Sequence, residues 1–307
     1  MPVRLRSLVL GQLPEPCAAL EPRVTVLDTR PAATARAALH RSTRRRYLMC
    51  RPEHFEVRYA INPWMDPSTP VDRELALEQW QRLVHVYEGL GHTVELVDPL
   101  PGHPDMVFAA NGGLVVGGRA LGARFTFPER AGEGPAFLAR LRELGLDQVV
   151  EATATNEGEG DFTVVGDRVL AGTGFRTDRA AHAEAATALG VEVVGLELVD
   201  PRYYHLDTCL AALDDTTIAY YPAAFSADSQ ALLERRYPDA VVASRADAEA
   251  MGLNCVSDGL HVVVDRAAEG LMGRLSEAGF LPVPVDLSEL VKAGGNVKCC
   301  TMELRGR

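Results

Sequence analysis

The chain has 307 residues, 47% of them hydrophobic and 24% charged, with a formal net charge of −11. This balance excludes wholesale disorder, and no apolar run approaches the roughly 18 residues of a membrane span. An acidic chain is a poor general partner for nucleic acid but is suited to attracting a small cationic substrate.

The N-terminal MPVRLRSLVLGQLPEPC has an apolar part too short and too Pro-broken for a secretion signal, so a cytoplasmic protein is expected. Residues 1–46 differ from the rest. Two Pro-containing stretches precede the basic run Arg41-Ser-Thr-Arg44-Arg45-Arg46, which reads as a solvated arm packed on the surface. The six cysteines (17, 50, 209, 255, 299 and 300) form no CxxC pair and no His/Cys zinc pattern. Neither a disulfide framework nor a metal site is expected.

From Tyr47 onward one pattern recurs: strand, tight turn, strand, helix, strand. The first unit is the least regular. It opens on Tyr47-Leu-Met-Cys and carries a helix near 72–90 whose Trp80, Leu83, Val84 and Tyr87 share a face. The second turns at Gly117-Gly118, with a helix near 135–144. The third is the clearest. Phe162-Thr-Val-Val meets Gly166-Asp167, which has hairpin-turn chemistry, and Arg168-Val-Leu-Ala returns. Asp178 then caps a helix to Leu189, Gly190 stops it, and Val191–Leu198 is the third strand. The fourth unit turns at Asp214-Asp215, with a helix near 226–237, and the fifth at Asp258-Gly259, with a helix near 266–278. Successive turns are 49, 48 and 44 residues apart. Val297-Lys-Cys-Cys-Thr-Met-Glu-Leu is predicted to be a last strand returning to the first unit.

These repeats predict an α/β fold, five ββαβ units closed into a propeller. A doubly wound sheet is disfavoured, because it needs a crossover between successive strands where this chain has hairpins. There is no G-x-G-x-x-G after a strand and no G-x-x-x-x-G-K-[ST] loop, so nucleotide binding gets no support.

In such a ring, equivalent ends of the units converge on the axis. Four segments carry reactive residues there. Gly294-Gly295-Asn296-Val297-Lys298-Cys299-Cys300 offers a thiol where a strand begins, with Lys298 beside it to lower its pKa if turned inward; a small buried cysteine is the plainer reading. Tyr204-His205-Leu206-Asp207-Thr208, read as a strand, puts His205 and Asp207 on one side. Asn156-Glu157-Gly158-Glu159-Gly160-Asp161 supplies carboxylates just before a strand. Asp105 and Asn111 bracket an apolar strand ending in a Gly pair, and Arg130 and Arg176 follow as arginines able to grip a carboxylate. The other seven histidines show no metal-ligand spacing and are assigned to packing or the surface.

Together and in this order, YLMCRPEHFEVRYAINPWMDP, PDMVFAAN, EGEGDF, the arginine of GTGFRTD, YHLDT and GGNVKCC resemble the guanidino-group modifying superfamily with the pentein fold. The likeness is greatest to dimethylarginine dimethylaminohydrolases and arginine dihydrolases, over about residues 47–307. The resemblance implies a single pentein catalytic domain there, needing no cofactor, with Cys299 as nucleophile. It implies that His205 protonates the leaving amine and then activates water, held by Glu157, with Glu159 as the alternative. Asp105 and Asp207 would bind the cationic part of arginine or a methylarginine, and Arg130 and Arg176 its α-carboxylate.

Asn111 stands where dimethylarginine hydrolases usually have an aspartate, and Asn62 is the asparagine of the INPWM motif; the dihydrolase type has asparagine at both. A carboxylate only accepts hydrogen bonds, whereas an amide can also donate to a ureido oxygen. The expectation is therefore an arginine dihydrolase releasing ornithine, carbon dioxide and ammonia, with a dimethylarginine hydrolase as the alternative. An amidinotransferase and a non-catalytic binder on the same fold are the further rivals. A homo-oligomer is compatible with the sequence.

Overall fold

The computed structural model describes residues 40–306. Most of the expected arm, residues 1–39, lies outside the described residues. Of its basic run, Arg41 and Arg44 are exposed, but Arg45 pairs with Glu303 and Arg46 opens the first strand and pairs with Glu95.

Five three-stranded sheets form the fold. In chain order the strands are β1 (Arg46–Cys50), β2 (Thr93–Val97), β3 (Gly113–Val116), β4 (Arg119–Gly122), β5 (Gln148–Val150), β6 (Phe162–Val165), β7 (Arg168–Thr173), β8 (Glu192–Glu197), β9 (Leu210–Ala212), β10 (Ile218–Tyr220), β11 (Val241–Val242), β12 (Val256–Ser257), β13 (His261–Asp265), β14 (Leu281–Val285) and β15 (Met302–Glu303). Four of the sheets pair a hairpin antiparallel and add a third strand parallel to its second strand; the first keeps the same pattern with β15 in place of the hairpin partner. The parallel step needs a crossover. Helices α1 (Arg73–Gly89), α2 (Glu133–Glu143), α3 (Arg179–Leu189), α4 (Ala227–Arg236) and, after the short α5 (Arg245–Glu249), α6 (Glu269–Ala278) supply the five crossovers.

The first sheet is completed from the far end of the chain. β15 pairs antiparallel with β1, Tyr47 opposite Glu303 and Leu48 opposite Met302. This joins the last segment to the first unit, as the repeats predict. The strand is shorter than expected, however. Residues 297–300 form a turn closed by Cys300 N–H to Asn296 O and Thr301 N–H to Lys298 O, and only Met302–Glu303 is extended.

Local chemistry accounts for the boundaries. Asp72 caps α1 through Leu75 N–H at 3.0 Å, and the Trp80, Leu83, Val84 and Tyr87 face is buried. Gly190 ends α3 at φ +71°, a conformation that favours glycine, while Asp178 occupies the N-cap position without a side-chain bond. Apolar residues pack between the sheets and their helices, as with Leu48, Val115, Phe137 and Leu141 behind the second unit.

Candidate active site

The segment entering each hairpin's first strand lies at one end of the axis. Glu157 and Glu159 are five and three residues before β6, His205 and Asp207 five and three before β9, and Cys299 three before β15. Asn111 and Asn254 are each two residues before their strands, β3 and β12. The pseudo-symmetry thus collects one chemically active segment from each of five sheets.

These segments are turns and short 3-10 helices, whereas the sequence predicts strands between Asp105 and Asn111, over 204–208 and over 297–304; the EGEGD run lies just ahead of its strand, as expected. Pro104–Val107, Ala109–Gly112, Gly158–Gly160 and Leu206–Thr208 are all 3-10. Their apolar residues are buried because the axis surrounds them, not because they are strands. Backbone crowding explains the glycines of EGEGD. Gly158 has φ +54°, with Gly113 backbone atoms 2.6 Å from where a Cβ would sit. A Cβ on Gly160 would lie 2.4 Å from Asn111 Nδ2 and 3.1 Å from His205 Nδ1.

The Cys299 thiol donates to Asp207 Oδ2 at 3.3 Å and accepts from Asn254 Nδ2 at 3.1 Å. Asn254 also donates to Asp207 O and accepts from the backbone N–H of Asn296 and Cys299, so its amide holds the whole turn. Sequence reasoning missed Asn254. Its only signal is its register ahead of β12, matching Asn111 ahead of β3. Cys300 lies beside Cys50 in apolar surroundings, and burial raises its thiol pKa.

The imidazole belongs to a second group. His205 Nε2 lies 2.8 Å from Glu157 Oε2, which also accepts from Arg176 Nη1 at 2.8 Å. Burial alone would raise the Glu157 carboxyl, but the His205 bond, Arg176 and Arg130 together hold it well below the usual carboxylate range. Glu159 faces away. It pairs with Lys298 and Arg305 and accepts Glu303 N–H. Glu157 is therefore the carboxylate against His205, and Lys298 spends its ammonium on Glu159 rather than on the thiol. The Cys299 thiol is instead pushed up, first by burial and then by the Asp207 carboxylate.

Arg130 is buried against Glu133 through Nε at 3.0 Å and Nη2 at 2.7 Å, and donates to Asn111 Oδ1 at 2.7 Å and to Asp105 O. Glu133, unremarked in sequence, neutralises it. Four of Arg130's five N–H groups are engaged, against two of Arg176's, which go to Glu157 and Ile61 O. Arg176 thus has more donors left for a carboxylate. It lies between the Phe127 and Tyr204 rings, 4.5 and 4.7 Å from their centroids.

Residues 51–72 cross over this end. Tyr59 OH donates to Asp105 Oδ2 at 2.9 Å. Asn62 is half-buried and spends its amide on Ala293 O and Trp64 N–H, bracing the segment ahead of Cys299. Asp105, Asn111, Arg130, Glu157, Arg176, His205, Asp207 and Cys299 are all buried. Among the described residues, Asp105 Oδ1, His205 Nδ1 and Asp207 Oδ1 are buried without a hydrogen-bond partner. Two spare carboxylate oxygens and a spare imidazole nitrogen suit a cationic substrate bearing a leaving amine. Burial pushes the Asp207 carboxyl up to about 7, with Lys298 opposing, and raises that of Asp105.

A ring of five ββαβ units with a thiol, an imidazole and carboxylates buried at one end of its axis defines the pentein class of guanidino-group modifying enzymes. No protein-family model matches the chain. It is 56% identical, over 85% of its length and 86% of the relative's, to an N(G),N(G)-dimethylarginine dimethylaminohydrolase of Mycobacterium tuberculosis. It is 39% identical over 84% of its length to the bifunctional arginine dihydrolase/ornithine cyclodeaminase ArgZ of Synechocystis, spanning 37% of that longer protein. The crystal structure of the N-terminal domain of ArgZ bound to product, an arginine dihydrolase, superposes with a TM-score of 0.82 at 38% identity, covering 86% of this chain and 98% of that one. The chain belongs to the family of dimethylarginine dimethylaminohydrolases and arginine dihydrolases, hydrolases acting on C–N bonds of amidines.

No helix among the described residues is long and apolar enough to cross a membrane.

Proposed function

We propose that this chain is a cytoplasmic, cofactor-free hydrolase that converts an Nω-methylated arginine to citrulline and the corresponding methylamine. The observation that carries this choice is the 56% identity to the mycobacterial dimethylarginine hydrolase, against 39% to ArgZ. It favours the dimethylarginine branch over the dihydrolase branch suggested by Asn111.

In the proposed reaction, Asp105 and Asp207 receive the guanidinium and Arg176, with Arg130 beside it, the α-carboxylate. The arriving cation offsets the burial and Asp207 repulsion that keep the thiol protonated, so Cys299 ionises as substrate binds, its proton passing to solvent, while His205 enters the step protonated. Its sulfur attacks the guanidino carbon. His205, held by Glu157, protonates the departing amine, leaving an S-alkyl-thiouronium. It then takes a proton from water as water attacks the same carbon, and the thiolate leaves with release of citrulline.

A pH dependence follows from Asp207. With its carboxyl at about 7 in the free site, Asp207 is neutral below that pH and cannot pair with a guanidinium. The kcat/KM profile reports free-enzyme ionisations. It is expected to rise as pH increases through about 7, and Asp207→Asn should remove that limb. A limb near 7 that survives Asp207→Asn contradicts the assignment.

Asn111 favours a second reading, the arginine dihydrolase. Its Nδ2 is only loosely held, 3.4 Å from Glu157 O, beside the His205 ring, where it could donate to a ureido oxygen. Initial-rate assays with asymmetric dimethylarginine and arginine, analysed for citrulline and ornithine, separate the two. The expected result is preference for dimethylarginine with citrulline as product; ornithine from arginine as the main product supports the dihydrolase instead. Asn111→Asp removes that donor and faces a ureido oxygen with a carboxylate, a difference of a few kcal/mol. Any ornithine formed by the wild type should therefore fall relative to citrulline in Asn111→Asp, and an unchanged ratio would remove Asn111 from the choice of product.

A further inference from the structure

The fifth unit reaches the active-site end through Asn254, two residues before β12, and the proposed reaction gives this residue no part. Asn254 is fully buried. Its amide has four hydrogen-bonding places, two accepting and two donating. All four are filled. Oδ1 accepts Asn296 N–H at 3.1 Å and Cys299 N–H at 3.0 Å, and Nδ2 donates to Asp207 O and to Cys299 Sγ, each at 3.1 Å. This pattern fixes which way the amide points. Turned over, its oxygen would face a carbonyl and the sulfur, and its NH2 would face two N–H groups that can only donate. An N–H therefore meets the sulfur whether the thiol is protonated or ionised.

The backbone is committed to the same placement. Met251, whose carbonyl accepts Asn254 N–H at 3.0 Å, has φ +52°, and no other non-glycine residue among the described residues has a positive φ. Such a conformation costs free energy and persists where the surrounding structure demands it.

The sulfur needs these donors. As a thiol it donates to Asp207 Oδ2 at 3.3 Å. Once ionised it has no hydrogen to give, and the same carboxylate repels it. Lys298 is engaged with Glu159. The groups that favour the anion are Asn254 Nδ2–H and the Asn296 N–H, which Asn254 Oδ1 also holds.

We propose that Asn254 is a catalytic residue that, with the Asn296 N–H it positions, forms a two-donor cradle for the Cys299 thiolate. The inference rests on Cys299 being the nucleophile. The cradle acts twice. It holds the anion before attack on the guanidino carbon. It holds it again when the water adduct of the thiouronium collapses and the C–S bond breaks with its electron pair on sulfur.

Two variants of the full chain test this. Asn254→Asp can still accept both backbone N–H groups but has no amide hydrogen for the sulfur. Asn254→Ser shortens the side chain and withdraws the donor without adding a charge. Alkylation of Cys299 by iodoacetamide at one fixed neutral pH, read by peptide mass, should be at least roughly threefold slower in both, because less thiolate is present. Turnover should fall roughly tenfold or more, with the larger part of the loss in kcat rather than in KM. A residue that only braced the turn would behave otherwise: Asn254→Asp would match the wild type, and Asn254→Ser would loosen the turn and expose the thiol to faster alkylation. Either variant decides by itself if the other does not fold. Alkylation as fast as in the wild type, or an unchanged kcat, in a folded variant overturns the proposal. The nucleophile assignment is tested separately by Cys299→Ala.

Discussion

Cys299→Ala is expected to lower kcat/KM by roughly a thousandfold or more, because the proposed nucleophile has no substitute in the site. The neighbouring thiol cannot replace it. Cys300 is fully buried in the apolar cluster with Tyr47 and Met49, and its pKa is raised by burial. Cys300→Ser should therefore keep most of the activity. The Cys299→Ser variant retains a hydroxyl able to donate to Asp207 and accept from Asn254, so its thermal midpoint should stay close to that of the wild type, even though an unactivated hydroxyl is a poor nucleophile. The pair is decisive in both directions: an inactive Cys300 variant beside an active Cys299 variant reverses the assignment.

His205→Asn should cost between about a hundredfold and ten-thousandfold in kcat, the range for removing a general acid–base. The proposed reaction makes two demands of this position, a proton for the leaving amine and a base for water. The ring meets both because Glu157 fixes one nitrogen while the other is without a partner among the described residues. Glu157 keeps Arg176 when His205 is removed, so the carboxylate is not orphaned and the fold should survive. Stopped early, the His205 variant should either accumulate a covalent adduct or fail to form one, according to which proton transfer limits it. Turnover close to that of the wild type would take His205 out of the mechanism.

The fold was legible because its repeat is written in turn chemistry. Gly117-Gly118, Gly166-Asp167 and Asp258-Gly259 each sit between two short apolar strands, and a helix follows at a similar distance every time. The site segments were legible as residue types but not as shapes. His205 and Asp207 were expected to share one face of a strand, yet His205 turns to Glu157 and Asp207 to Cys299 from a 3-10 turn. Both readings bury the pair, because a segment enclosed by five sheets is as apolar as a buried strand. Glu157 and Glu159 could not be separated from sequence. Only the three-dimensional path sends one to the imidazole and the other to Lys298 and Arg305. Glu133 lies in none of the quoted motifs, and Tyr59, though within the first of them, carries no sign there of its role. They were found because Arg130 and Asp105, once buried, need partners.

The central claim is a covalent step at Cys299 on the guanidino carbon. Mixing the wild type with dimethylarginine, quenching in acid within a turnover and mapping the modified peptide by mass tests it most directly. A thiouronium adduct on Cys299, formed with loss of dimethylamine and absent from Cys300, is the expected result. An adduct on Cys300, or full turnover with no modified cysteine at any quench time, would contradict it.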